Sequence, residues 1–415
     1  MVLALAYQPW AAGPDRRPLL DATIAIAAAA PLVQLVPLPS FLLDALSPHA
    51  RAVWRQMSLD VPAWLPLSVD LDAGTWAAVM SIGVATVFLT ARRIFAAGGV
   101  RTVVRGVALI GLVLAAIGLA QDVTAHGRMY WRWAPLQEGA PPFGPFVDRN
   151  HFATWVVLAA PLCLGYLAAH TAAHRHDPPP QASWRRRVAL AFDGRAIWLT
   201  ASVAAMIVAL VVSLSRSGML GLSVALLVGA WLHNRNATWR RPSGGWIVGG
   251  LAAALALVLL RIDPAVLGGR LASAHTSAAG RLVIWRDTLP VVRDFWLTGT
   301  GAGTYETAML VYQRSSPGVR FNQAHNQYLQ LAAEGGLLLA LPVIVALSVY
   351  IHEAWHALTR DLSGMYWVRA GAACGLAGVA AQSIWETGLT TPANALLAAV
   401  AAAVLVHTPG RSAVQ

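Results

Sequence analysis

The segment Gln323-Ala324-His325-Asn326-Gln327-Tyr328-Leu329 sets an imidazole among amides and a phenol, shortly before Glu334-Gly335-Gly336 and a long apolar run. An imidazole with an ordinary pKa of about 6.5 accepts the proton of an attacking hydroxyl at neutral pH. A lone histidine is more often structural, but these neighbours and the approach to an apolar run favour chemistry. Two arginine motifs come earlier. Ser213-Leu214-Ser215-Arg216-Ser217-Gly218 is a polar break between apolar runs too close together to leave a loop. Arg216 therefore sits at an apolar boundary, where a guanidinium is costly unless it meets an anion or snorkels to the surface. After Gly280-Arg281, the positions Ser277, Leu282, Trp285 and Leu289 predict a short amphipathic helix lying on a membrane, with Arg281 at its N-terminal end. Unsatisfied N–H groups and the macrodipole suit a phosphate there. For Arg216 an arginine anchoring lipid head groups is an equal alternative, and for the Arg281 element an interfacial helix with snorkelling arginines is the commoner one. In Phe143-Gly144-Pro145-Phe146-Val147-Asp148-Arg149-Asn150-His151-Phe152, Asn150 suits a phosphate or sugar hydroxyl, while Asp148 or Asn150 equally suits a helix cap.

The arginine motifs suit a phosphate-type anion, and His325 suits a proton-accepting role. The competing signal is Asp70-Leu71-Asp72, whose carboxylates are spaced to hold a divalent cation. Asp72 directly precedes Ala73-Gly74-Thr75-Trp76 and the start of an apolar run, so a helix N-cap explains it better. No Ser/His/Asp order, Gly-rich phosphate loop or His-x-x-x-His pair carries a catalytic or metal reading. Cys163 and Cys374 lie inside apolar runs and imply neither a disulfide framework nor a zinc site. No metal or cofactor is expected.

These residues must be positioned by membrane-spanning helices. Of the 415 residues 57% are hydrophobic and 12% charged, against about 25% charged in a soluble domain; mean hydropathy is +0.56. All 30 basic residues are arginine, and the net charge of +11 comes in clusters between apolar runs, so nucleic acid is not the expected partner. Candidate spans are Leu19–Val36, Trp76–Leu89, Val104–Ala120, Phe152–Ala172, Ile197–Leu214, Gly218–Leu232, Trp246–Leu260, Gly336–Ala354, Val368–Trp385 and Ala393–His407. The clusters Arg16/Arg17, Arg92/Arg93/Arg101/Arg105, Arg175 to Arg195 and Arg235/Arg240/Arg241 fall in alternate connections. The positive-inside rule makes those connections, and both termini, cytoplasmic. The first span then acts as an uncleaved signal. Trp76, Trp198, Trp231, Trp246, Trp355, Trp367 and Trp385 lie near span ends and read as interfacial anchors. Within this single membrane domain of residues 1–415, the connections 37–75, 121–151 and 261–335 face outward, and the last carries Arg270, Arg281, Arg286, Arg293, Arg314 and Arg320.

The motifs together resemble a known family. Ser-Arg-Ser-Gly around Arg216, Gly280-Arg281 with Trp285, Gly299-Thr300-Gly301-Ala302-Gly303-Thr304-Tyr305, and Ala324-His325-Asn326 with Tyr328 running into Glu334-Gly335-Gly336 occur in the order found in the O-antigen ligase and O-antigen polymerase superfamily. Phe146 to His151 resembles the Phe-Val-Asn-Arg-Asn-His run of its exopolysaccharide-type members, with Asp148 where Asn is usual. The resemblance covers roughly residues 140–400. Members usually have about twelve spans, so either N-terminal helices are missing here or the ten above are an undercount.

The resemblance implies an all-α polytopic integral membrane protein of about 10–12 transmembrane helices, C-type glycosyltransferase-like, with a long helical external loop. It implies a metal-independent transferase in the bacterial inner membrane, its active site facing the periplasm. The donor is then a glycan on undecaprenyl diphosphate, and the acceptor lipid A core or a second lipid-linked glycan, among membrane lipids. Arg216 and Arg281 match the family's diphosphate-binding arginines and His325 its proposed base; Asn150, Arg149, Arg286, Asn326 and Tyr328 are expected in support. The rival classes are a transporter or flippase of an anionic lipid-linked glycan, and a non-catalytic assembly subunit. Transporters place their sites near the midplane and across repeats, and no repeat is visible here.

Overall fold

The computed structural model describes residues 17–57, 61–125, 127–134, 141–173, 193–235, 274–316 and 318–408. In chain order the helices are α1 (Pro18–Gln34), α2 (Ser40–Leu46), α3 (Ala50–Met57), α4 (Leu71–Ala97), α5 (Val100–Thr124), α6 (Arg149–Ala173), α7 (Gly194–Val212) and α8 (Arg216–Arg235). They continue with α9 (Ala274–Asp294), α10 (Tyr305–Tyr312), α11 (Gln327–Arg360), α12 (Met365–Gln382) and α13 (Pro392–Val406). Strands β1 (Leu38–Pro39) and β2 (Trp64–Leu65) form a short antiparallel pair. Among the described residues, α4, α5, α6, α7, α8 and α11 are long and apolar enough to cross a membrane, and α1 and α13 are apolar but shorter. This is an all-α polytopic membrane protein.

Every expected span within the described residues coincides with a helix, and Trp246–Leu260 lies outside them. The expected segment Trp76–Leu89 proves too short, because α4 runs on through Arg92 and Arg93 to Ala97. Arg92 is fully buried and its NH2 lies 2.5 Å from Asp21 Oδ1 near the start of α1. A partner 71 residues away thus neutralises the charge that ends the apolar pattern.

The central helix is α6: 83% of its most apolar stretch is buried inside the bundle, against 17% for α4. It packs most extensively on α12, where Gly165 and Gly371 let the backbones meet; a Cβ on Gly371 would stand 2.3 Å from the Pro161 carbonyl oxygen. Such small-residue seams replace hydrophobic exclusion as the packing device inside a membrane. Helix α8 completes the group by packing on α12 through Gly221 and Gly378.

The bundle has two unlike ends. One gathers the start of α1, the turn between α4 and α5 and the ends of α8 and α11; Arg17 pairs with Glu353, Arg105 bonds Tyr166, and Tyr366 bonds the Leu232 carbonyl there. The opposite end carries a second hydrophobic core, in which Leu43, Val53, Leu65 and Val69 from residues 38–69 pack with Val291, Phe295, Tyr305, Met309 and Phe321. The first and last of the three expected external connections therefore form one cap. Asp70 joins them: its side chain caps α4 by accepting from Ala73 N at 3.0 Å, and its Oδ2 accepts from Thr307 Oγ1 at 2.8 Å. The cap is Asp70 rather than the expected Asp72, since α4 starts at Leu71 and leaves Asp72 exposed in the first turn.

The glycine-rich segment 299–303 docks this cap onto α11. Gly301 N donates to the Glu334 carbonyl at 2.9 Å, and the Glu334 carboxylate accepts from Gly303 N at 2.9 Å and Tyr305 N at 3.2 Å. The helix is broken at Gly336, whose φ is 52° and ψ −156°. Gly299, with φ +66°, fits so closely that a Cβ would lie 2.0 Å from the Glu334 carbonyl oxygen. Gly299→Ala should therefore lower stability by roughly 2–5 kcal/mol, combining left-handed strain with overpacking. Thermal unfolding in detergent checks this, and an unchanged midpoint would contradict it.

Candidate active site

The expected site residues lie at the capped end. Leu214, in the break between α7 and α8, has a left-handed φ of +54°, which reverses the chain sharply enough for Arg216 to open α8. The break is pinned to the first turn of α6: Ser215 Oγ donates to Asn150 Oδ1 at 2.7 Å, and Gly218 packs on Ala153. Asp148 takes the capping role, its Oδ1 accepting from Asn150 N at 2.7 Å. Arg149 is the first residue of α6 and is half-buried.

Helix α9 begins at Ala274, so Arg281 sits two turns inside it rather than at its N-terminal end. The segment Ala274-His275-Thr276-Ser277-Ala278-Ala279 carries the helix further back than the amphipathic spacing predicts. A macrodipole acts over the first turn, so Arg281 has its guanidinium to offer and little help from the helix end. The helix is amphipathic as its spacing predicts, but at 21 residues it is longer than the short helix expected. Leu282 and Leu289 are exposed, while Ile284 and Val291 pack into the cap core. Trp285 stacks on Trp385 with centroids 5.6 Å apart, and its Nε1 donates to the Ala324 carbonyl at 2.9 Å. Trp385, expected as an interfacial anchor, thus helps fasten α9 to the His325 segment. Arg286 is exposed, beside Leu289, Pro290 and Arg293 on an open face of α9.

His325 has a left-handed φ of +48°, an uncommon conformation for a side-chain-bearing residue and one concentrated at functional sites. Its neighbours hold it there. Asn326 caps α11, its Oδ1 accepting from Tyr328 N and Leu329 N at 3.0 Å each. Tyr328 donates its hydroxyl to the Ala380 carbonyl at 2.7 Å, and Gln327 N donates to the Ser383 carbonyl at 2.9 Å. In this fold Asn326 and Tyr328 bond backbone groups that set the His325 turn against the end of α12.

The junction of the site is a residue that the sequence motifs did not single out. Glu386, between α12 and the 3-10 turn Gly388–Thr390, is 0% exposed. Its Oε1 lies 3.2 Å from His325 Nδ1, and its Oε2 lies 3.5 Å from Arg281 NH2. Burial alone would push its carboxyl up; the His325 hydrogen bond and the charges of His325, Arg281 and His151 outweigh burial and hold it below the usual carboxylate range. The available signal was that Glu386 is the only acidic residue after Asp361 and closes an apolar run.

Asp148 and His151 approach from α6, each offering a ligand atom within 4.8 Å of Glu386 and of one another. Burial first, and the Glu386 charge second, hold the Asp148 carboxyl above its ordinary range. That spacing would admit a small cation, but the Glu386 oxygens already face an imidazole and a guanidinium, whose positive charge opposes a second cation. His151 Nδ1 lies 2.9 Å from Thr391 Oγ1, and its Nε2 is buried. The arrangement fits an ion-pair network better than a metal cage.

The Arg216 segment, bonded to Asn150, and Arg281 and His325, both joined to Glu386, thus meet around the first turn of α6. Residues 201–344, which include Arg216, Arg281 and His325, match the family model described as O-antigen ligase, while Asn150, Asp148 and Glu386 lie outside the match. No curated protein matches the chain. Over that stretch, about a third of the chain, the protein is similar to the O-antigen ligase family, and its long apolar helices are those of a polytopic membrane protein.

Proposed function

We propose that the protein transfers a glycan from undecaprenyl diphosphate to an acceptor hydroxyl, on lipid A core or a second lipid-linked glycan, at the periplasmic face of the bacterial inner membrane. The observation that carries this reading is the single buried carboxylate, Glu386, that joins Arg281 to His325 at the capped end of the bundle. The acceptor oxygen attacks the anomeric carbon, its proton passes to the His325 imidazole, and the bond to the diphosphate oxygen breaks. Arg281 and Arg216 take the charge that develops on the leaving diphosphate. In-line attack inverts the anomeric centre. The arginine-rich opposite end, with both termini, faces the cytoplasm under the positive-inside rule. The polar cluster at helix ends, rather than at the midplane, favours a transferase over a transporter.

The purified protein in detergent is expected to release undecaprenyl diphosphate as it builds the glycosylated acceptor, and to do so equally well in EDTA. Two arginines carry the leaving group, Asp70 is a helix cap, and Glu386 faces an imidazole and a guanidinium. Abolition by EDTA with rescue by a divalent cation would contradict the metal-free mechanism and return Asp148, His151 and Glu386 as ligands.

A further inference from the structure

The geometry points to Glu386 as the positioning residue of this site, a carboxylate that fixes the ring of His325 and holds Arg281 beside it. The inference rests on the reading of His325 as the base and adds what orients that base.

A carboxylate held below its usual range is ionised at neutral pH and can only accept hydrogen bonds. At 3.2 Å from Glu386 Oε1, His325 Nδ1 must then be the donor. The neutral imidazole is left with its lone pair on Nε2, directed away from Glu386 and free to receive a proton. When the proton arrives, the buried anion stabilises the imidazolium, as a buried carboxylate does for any histidine base of this kind. Position supports the same role. Glu386 sits at the end of α12, where Gln327 N and Tyr328 OH also bond that helix, and Trp385 beside it stacks on Trp285. Helices α9, α11 and α12 are thereby registered around one carboxylate.

The second contact gives the role a distinctive signature. Glu386 Oε2 faces Arg281, so the carboxylate competes with a donor diphosphate for that guanidinium. Removing its charge should impair the base and, if anything, strengthen the grip on the donor. A merely structural carboxylate predicts that both fall together.

The test compares Glu386→Gln, which keeps the volume and loses the charge, with wild type and His325→Ala in donor affinity, single-turnover rate and thermal stability. The expected result for Glu386→Gln is a single-turnover rate lower by about 10- to 1,000-fold with donor affinity equal to wild type or tighter. A rate within about twofold of wild type, or a parallel loss of affinity and rate, overturns the inference. If Glu386→Gln does not yield folded protein, Glu386→Asp carries the test: it keeps the charge but withdraws the oxygen from His325. It should lose rate while keeping affinity, and keeping both or losing both overturns the inference. The two readings fail differently. Normal turnover in His325→Ala removes the base itself, whereas a dead His325→Ala beside a normal Glu386→Gln removes only the positioning role.

Discussion

His325→Ala should slow glycan transfer by about 100- to 10,000-fold while leaving donor affinity nearly unchanged. A general base acts on the acceptor proton as the new bond forms, so its loss registers in turnover rather than in ground-state binding. The fold supports that separation. His325 stands in a turn held by the Asn326 cap and the Tyr328 hydroxyl, neither of which depends on the imidazole. Truncating the ring therefore leaves the backbone of the site in place. Single-turnover rate and donor affinity measured on the same folded, detergent-solubilised variant check this. Near-normal turnover would mean that another group, or water after the leaving bond has largely broken, takes the proton.

Arg281→Ala and Arg216→Ala should weaken donor binding by about 10- to 100-fold and lower turnover as well, because each charge-assisted contact to a diphosphate exists before the transition state and strengthens in it. Arg281→Lys should also be impaired, since an ammonium keeps the charge but loses the planar fork that serves two phosphate oxygens. The lysine variant is the cleaner of the Arg281 pair. Arg281→Ala leaves the buried Glu386 carboxylate without its guanidinium, a stability loss on top of any loss of binding. The Arg216 segment reaches the site through the bond from Ser215 to Asn150. Donor affinity read alongside thermal stability separates the effects, and unchanged affinity in Arg281→Lys and Arg216→Ala would remove the diphosphate-binding assignment.

Much of this was legible in the sequence where the governing interaction is local. Apolar runs gave the spans because hydropathy alone decides insertion, and the Ser-Arg-Ser-Gly break fell between α7 and α8 as its polarity requires. Boundaries failed where a distant partner decides them. Arg92 looked like a span end and is buried because Asp21 neutralises it, and Asp70 rather than Asp72 caps α4 because Thr307 holds the other oxygen. Arg281 lies inside its helix rather than at its start because apolar spacing marks a buried face but does not mark where a helix begins. Glu386 stayed hidden for a related reason. Its partners lie 61 residues away at His325 and further still at Arg281, and only the packing of α9, α11 and α12 brings them together. The departure Asp148, which stands where the resembling motif has Asn, acquires its meaning the same way, as a carboxylate close to Glu386 and a cap on α6.

The most direct test of the account is an experimental structure of the protein with a non-transferable analogue of a polyprenyl-diphosphate-linked sugar. One diphosphate is expected at the capped end of the bundle, bonded by both Arg216 and Arg281, with the anomeric carbon facing His325 Nε2. A diphosphate at the arginine-rich end, or one gripped by neither arginine, would contradict it.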